Sequence, residues 1–229
     1  MENSFSRSGF FARGRFRSVF MLNWWQNRAA ACGLISPILL LAGVALVAWL
    51  QQVQEPWATT VSKMGRFGQP YSETMNFTLM ISGCLVAAFA QGLPHSRQSG
   101  VLDARRMFVI FGLVGLGGAG LFPCDLDCGG WSIFNLLHSS VVITGALGLF
   151  LGLYKLPCAF ENEADWGWLA RGAQALAFLG FAAAFLFLMG LWRVIQPLEG
   201  YIGLIEKQYL LSVFMLIFLI AHRTARKTT

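Results

Sequence analysis

The sequence predicts an all-α, polytopic membrane protein: a bundle of six transmembrane helices with both termini in the cytoplasm. The first observation is composition, since 56% of the 229 residues are hydrophobic and 12% are charged. Soluble domains carry about 25% charged residues. The second is that uncharged stretches near the length needed to cross a bilayer, about 20 residues, recur along the chain. The transmembrane domain therefore covers residues 29–223, between a basic aromatic tail at 1–28 and a basic C-terminal tail at 224–229.

Six apolar segments are predicted to span the membrane, and the short connections make successive helices antiparallel. They lie at residues 29–50, 75–93, 107–123, 132–153, 168–192 and 205–222. The fifth is the clearest, because Ala173 to Leu191 contains no charge. Glycines are frequent in the third and fourth segments, which indicates close helix packing. These glycines are Gly112, Gly115, Gly117, Gly118, Gly120, Gly148 and Gly152.

The distribution of lysine and arginine predicts the orientation. Both tails and the connections on the same side of the membrane are rich in these residues. The connections on the other side hold Lys63, Arg66, Arg193 and Lys207. Because basic residues concentrate on the cytoplasmic side, an even number of spans places both termini there. The net charge of +6 is explained in this way, and no nucleic acid partner is expected.

Aromatic and basic residues alternate in the N-terminal tail. This composition suits the headgroup region of an anionic membrane leaflet. The tail is interpreted as a positively charged anchor that contacts membrane lipids. The alternative is a surface helix or a segment that binds a membrane-protein partner, although Gly9 and Gly14 weaken a helix.

Ionisable and amide side chains follow the third span and begin the fourth. Asp125 and Asp127 are expected at the external interface, and Asn135 and His138 lie on the fourth helix. If Trp131 marks the interface, His138 lies about 10 Å deeper at 1.5 Å per residue. An ionisable side chain at that depth indicates a functional site. The alternative is a structural histidine whose hydrogen bonds are made by a neighbouring helix.

Further polar residues are predicted to join the same site. Glu206 and Lys207 begin the sixth helix at the external level, and Ser82 lies on the second helix. Together with Asp125, Asp127, Asn135 and His138, they are expected to converge around one outward-facing pocket. A set of stabilising external salt bridges is the competing interpretation.

Cysteines and histidines suggest a disulfide rather than a metal site. Cys124 and Cys128 lie on the side expected to be oxidising, with a spacing that permits a bridge. A redox or metal-binding thiol pair is disfavoured because further ligands are absent nearby. His95, His138 and His222 are predicted at different depths, too far apart for one zinc ion. No metal and no cofactor are expected.

The first external loop, residues 51–75, is the longest predicted connection. Gly65, Gly68 and Pro70 indicate a structured turn. An ordinary connector is the favoured interpretation, and a lid over an outward-facing cavity is the alternative.

Several short motifs resemble an uncharacterised bacterial membrane family with six helices, the domain of unknown function 998. The resemblance covers residues 30–222. It is carried by Ser62-x-x-Gly65 with Pro70, Asn76 and Gly83, by Gly120-x-Phe122-Pro123-x-Asp125, by His138, and by Gly203-Leu204-Ile205-Glu206-Lys207. Phe134 stands where the family often has an earlier histidine, so a mechanism that needs both histidines is not expected. The resemblance implies a multi-pass protein of the bacterial inner membrane.

Three functions are compatible with these features. The favoured one is handling or transport of a lipid or amphiphile at an outward-facing Asp/His/Glu site. The family's helical layout is distantly similar to that of proteins linked to lipid-anchor remodelling, which is an analogy of fold. The second is a non-catalytic subunit or scaffold of a larger membrane complex. The third is an intramembrane hydrolase that uses Asp125 and His138, and an enzyme is the less favoured reading.

Overall fold

The structure is a computed structural model that describes residues 8–93, 103–126, 128, 131–160, 166–191 and 200–228. Within these ranges the regular elements are all helical. They are α1 Ser8–Leu50, α2 Val61–Met64, α3 Ser72–Gln91, α4 Ala104–Ile110, α5 Gly118–Leu121, α6 Ile133–Ala159, α7 Gly167–Leu191 and α8 Ile202–Thr228. A π-helical stretch, Phe111–Gly117, joins α4 to α5, so these three elements form one continuous helix that we call the third span.

Five helices in the described residues are long and apolar enough to cross a membrane. They are Trp25–Leu50, Ser72–Gln91, Ala104–Leu121, Ile133–Ala159 and Ile202–Arg226. The predicted segment 168–192 corresponds to α7, a helix of 25 residues that is not among these five. The chain is therefore an all-helical, multi-pass membrane protein.

The first helix begins earlier than the sequence predicts. It starts at Ser8 and not near residue 29, so the helix includes Gly9 and Gly14. Each glycine costs about 1 kcal/mol relative to alanine in a helix. Extending an existing helix avoids the cost of nucleation, however, and adds one hydrogen bond per residue. The expected weakening at these glycines does not end the helix.

Successive helices lie side by side. In the described residues α1 packs against α3, α3 against the third span, the third span against α6, α6 against α7, and α7 against α8. Contacts between α8 and α1 then close the arrangement into a ring. Phe108, Leu153, Phe214 and Ile217 are among the fully buried side chains that fill its interior.

Glycines bring helix backbones into direct contact, as the sequence predicts. A Cβ atom added to Gly115 would lie 2.8 Å from the Cα atom of Gly145 on α6. One added to Gly83 on α3 would lie 2.8 Å from the backbone nitrogen of Gly117. Both distances are too short for two non-bonded atoms. These helix backbones can therefore approach each other only because glycine has no side chain at the contact.

Exposed aromatic side chains mark both ends of the bundle. One end carries the 51–71 connection and residues 122–126, and we call it the first-loop end. Trp131 is exposed there, and Tyr154 is exposed near the opposite end of α6. From Ile133, the first residue of α6, to Tyr154 the helix rises about 32 Å, compared with about 30 Å for the hydrocarbon core of a bilayer. Aromatic residues at this separation are typical of the two membrane interfaces.

Candidate functional site

The first loop is held to the bundle by side-chain amides. Gln51 donates from Nε2 to the backbone oxygens of Met64 and Pro70, at 2.8 and 2.6 Å. Asn76, on the first turns of α3, donates from Nδ2 to the oxygen of Gly65 at 2.9 Å. These bonds fix the region that follows α2. The loop is therefore a structured segment, consistent with its glycines and proline.

Charged residues at the start of α8 hold the part of the loop that precedes α2. Glu206 accepts the backbone N–H of Val61 on Oε2 at 2.7 Å. Lys207 donates from Nζ to the backbone oxygens of Pro56 and Thr59, at 2.5 Å each. Both charged groups thus bind backbone groups of the first loop.

His138 is buried on α6, with 7% of its surface exposed. Its Nδ1 lies 2.8 Å from the backbone oxygen of Phe122, and its Nε2 lies 3.1 Å from the Oγ of Ser62. Because a carbonyl oxygen is an acceptor, the proton of the neutral ring belongs on Nδ1. Nε2 then presents a lone pair that accepts the hydroxyl proton of Ser62.

An aspartate–asparagine pair fixes the connection that supplies the Phe122 carbonyl. Asn135 donates from Nδ2 to Oδ1 of Asp125 at 2.6 Å, and the backbone N–H of Asp125 donates to Oδ1 of Asn135 at 3.0 Å. Asn135 is 2% exposed and precedes His138 by one helical turn. The two reciprocal bonds therefore tie the segment after the third span to α6, close to the histidine.

A disulfide closes the turn after the third span. It joins Cys124 to Cys128, whose Cα atoms lie 5.0 Å apart. The Sγ of Cys124 lies 3.6 Å from the backbone oxygen of Ser62. Since a bridged sulfur carries no proton, this is a packing contact and not a hydrogen bond. Arg66 also donates to the backbone oxygen of Leu126 at 2.5 Å, so this turn contacts the first loop within α2 and just after it.

Five of the residues predicted for the polar site thus belong to one connected assembly at the first-loop end. They are Asp125, Asn135, His138, Glu206 and Lys207. Their connections run through the first loop and the 122–126 segment. Both ring nitrogens of His138 have partners other than Asp125, namely the Phe122 carbonyl and the Ser62 hydroxyl.

Ser82 and Asp127 are not part of this assembly as described. Ser82 is fully buried on α3, and its backbone oxygen accepts the hydroxyl of Ser36 on α1 at 3.0 Å. Within the described residues its own hydroxyl has no hydrogen-bond partner. Asp127 lies outside the described residues, as does His95. His222 lies near the end of α8 away from the site, with its ring stacked 6.3 Å from that of Phe218.

The partner of the histidine was missed by sequence reasoning. Ser62 is 76 residues away from His138 along the chain. The sequence marked Ser62 only as part of a family motif and gave its hydroxyl no chemical role. The motif Ser62-x-x-Gly65 was the available signal. For metal ions, the described part of the chain contains no group of three or more histidine, cysteine, aspartate or glutamate side chains that could hold one.

Comparison with curated proteins and with solved structures gives no significant match. One family profile matches the chain, over residues 34–223, and its description is "Protein of unknown function (DUF998)". The match covers most of the chain and includes Ser62, His138 and Glu206. The chain therefore belongs to the DUF998 family.

Proposed function

We propose that this chain is a six-span protein of the bacterial inner membrane, with both termini in the cytoplasm, that binds a lipid or amphiphile at its first-loop end. The sixth span is α7, which packs between α6 and α8 as the other long helices pack against their neighbours. Basic residues such as Arg105, Arg223 and Arg226 lie at the end opposite the first loop. This bias supports an outward-facing first-loop end.

One observation carries the proposal: a connected polar assembly lies next to exposed apolar side chains. His138 lies about 7.5 Å along α6 from the first residue of that helix, Ile133, and Trp131, just before the helix, is 93% exposed. Leu121, Leu126 and Phe134 are also exposed near this end. An amphiphile presents polar and apolar groups at this same boundary. Its head can lie beside the polar assembly while its chains remain among exposed apolar side chains.

The test is the composition of lipids that remain with the protein. The full chain is extracted from its membrane in polymer-bounded discs, and bound lipids and other amphiphiles are identified by mass spectrometry. We expect one class to be several-fold enriched over the bulk membrane, and the enrichment to be lost in His138→Gln. His222→Gln is the matched control, since this histidine lies away from the site.

Two results would contradict the proposal. One is a bound-lipid composition equal to that of the bulk membrane. The other is an enrichment that His138→Gln leaves unchanged while the protein remains folded. Recovery of a second membrane protein in a constant ratio, without lipid enrichment, would instead favour the role of a subunit in a larger complex.

A further inference from the structure

We infer that Ser62 and His138 form a nucleophile–base pair that cleaves an acyl ester in the bound amphiphile. The identity of the substrate rests on the proposed function. The reactive pair itself rests on geometry within the chain. The serine hydroxyl and the imidazole are contributed by the first loop and by α6, and they meet at the first-loop end.

The distances fit the arrangement that activates a serine. Oγ of Ser62 and Nε2 of His138 are 3.1 Å apart, within the range of about 2.6–3.2 Å typical of a nucleophile and its base. In hydrolases of this kind a third group orients the base through its other nitrogen. Here the carbonyl of Phe122 does so at 2.8 Å, in the position that a carboxylate usually occupies.

The surroundings hold both members of the pair in place. Val61, which precedes the serine, is fixed by Glu206. Thr60 caps α2 by accepting the backbone N–H of Lys63 at 3.1 Å. These contacts restrict the backbone on either side of Ser62. Glu206 is therefore a positioning residue, because it acts on the serine through the backbone of its neighbour.

Access to the pair is asymmetric. His138 is buried, whereas Ser62 is partly exposed, so an incoming carbonyl group reaches the serine side. The backbone N–H of Ser62 has no hydrogen-bond partner within the described residues. It is available to donate to an oxyanion that forms on a carbon bonded to Oγ, a role that backbone N–H groups serve in acyl transfer.

Depth favours an acyl ester over a phosphate ester. His138 lies about 7.5 Å along α6 from Ile133, the first residue of that helix, and the exposed Trp131 just before the helix marks the headgroup level. Phosphate groups of membrane lipids lie at that headgroup level. Acyl ester carbonyls lie deeper, where headgroups meet the chains, and they are the electrophiles closest to Ser62.

The reaction proceeds in two balanced steps. Oγ of Ser62 bonds to the acyl carbon while its proton moves to Nε2 of His138. The bond from that carbon to the alcohol oxygen then breaks, and the alcohol leaves with the proton from Nε2. A water molecule next gives a proton to Nε2 and adds its oxygen to the acyl carbon. The serine takes the proton back as the carboxylic acid leaves.

The test uses a fluorophosphonate probe on the full chain in detergent, with mass spectrometry of the modified peptide. The probe reacts when serine Oγ displaces fluoride from phosphorus, so it reports nucleophilicity without the natural substrate. We expect modification of Ser62 and no labelling of Ser62→Ala. We expect His138→Gln to lower the rate by about 100-fold or more, the scale of a lost general base. Ser140→Ala, on the exposed surface of α6, is the matched control and should label normally.

A second measurement separates lost chemistry from lost folding. Added imidazole should restore labelling of His138→Ala several-fold, because a small base can occupy the vacated space. Absence of labelling at Ser62 in the folded wild type would overturn the inference. So would a His138→Gln rate equal to that of the wild type.

The same preparations distinguish this inference from the proposed function. Lipid enrichment without modification of Ser62 would leave the binding site intact and overturn the reactive pair. Modification of Ser62 without any enriched amphiphile would support the pair and contradict the proposed ligand. Release of p-nitrophenolate from a long-chain p-nitrophenyl ester, abolished in Ser62→Ala, would establish the acyl chemistry directly.

Discussion

The carboxylate of Glu206 accepts the backbone N–H of Val61 at 2.7 Å, although 145 residues separate the two in sequence. This bond attaches the start of α8 to the residue that precedes Ser62. It gives the acidic residue a clear structural role, because the bond fixes the loop that reaches His138. The site is therefore assembled by contacts between loops and helix ends.

Removal of this carboxylate should destabilise the protein. In Glu206→Ala the N–H of Val61 loses its partner, and an unsatisfied group of this kind costs about 1–3 kcal/mol. The free energy of unfolding in mixed micelles should fall by that amount. Glu73→Ala is the matched control, since Glu73 is exposed in the first turn of α3 and should change stability little. Equal stability of the two variants would contradict the role assigned to Glu206.

Loss of the neighbouring ammonium should loosen the first loop locally. Lys207 binds two carbonyl oxygens, those of Pro56 and Thr59, and charge-assisted bonds are worth about 1.5–3 kcal/mol each. In Lys207→Met, amide hydrogen exchange in residues 57–61 should accelerate by about tenfold or more, since 1.4 kcal/mol corresponds to a factor of ten. Lys63→Met is the control, because Lys63 has an exposed side chain. Unchanged exchange in Lys207→Met would refute the contact.

The helices were predictable because hydropathy reports which residues prefer hydrocarbon. Their ends were less predictable, since a helix continues beyond the hydrocarbon wherever backbone hydrogen bonds continue. α1 and α8 show this, as they extend to Ser8 and Thr228. The π-helical stretch Phe111–Gly117 had no sequence signal beyond its glycines, because its hydrogen-bond pattern depends on packing against α3 and α6.

Several polar residues of the candidate site could be predicted for a related reason. Asn135, His138 and Glu206 are polar groups in or beside apolar segments, which makes them conspicuous in a sequence. Ser62 lies in a polar loop, where a hydroxyl is ordinary. Its contact with His138 depends on the path of that loop, and the path is set by bonds to α8 that local patterns do not encode.

The glycine contact between the third span and α6 should be intolerant of a methyl group. A Cβ atom at position 115 would lie 2.8 Å from the Cα atom of Gly145, and overpacking of this kind costs about 1–3 kcal/mol or more. Gly115→Ala should therefore lower the unfolding free energy. Gly172→Ala is the matched control, because no atom lies within 4 Å of its added Cβ. Alanine favours a helix over glycine by about 1 kcal/mol, so this control should be neutral or stabilising.

Cysteines introduced at the two ends of the bundle should be labelled from opposite sides of the membrane. Trp131→Cys places a thiol at the first-loop end, and Arg106→Cys places one at the opposite end; both positions are exposed. Each is introduced into a chain whose native cysteines are replaced by alanine. In intact cells, a maleimide that does not cross membranes should label position 131 and leave position 106 unlabelled until the cells are permeabilised.

The same reagent decides the number of spans. A cysteine introduced after residue 228 should behave like position 106, because an even number of spans returns the C-terminus to the side of α1's first residues. Labelling of that C-terminal thiol in intact cells, together with labelling of position 131, would imply that α7 does not cross the bilayer. The start of α8 would then lie on the cytoplasmic side, which contradicts the contacts of Glu206 and Lys207 with the first loop and removes both residues from the proposed site. Labelling of position 106 but not 131 would instead invert the orientation and remove the outward-facing site.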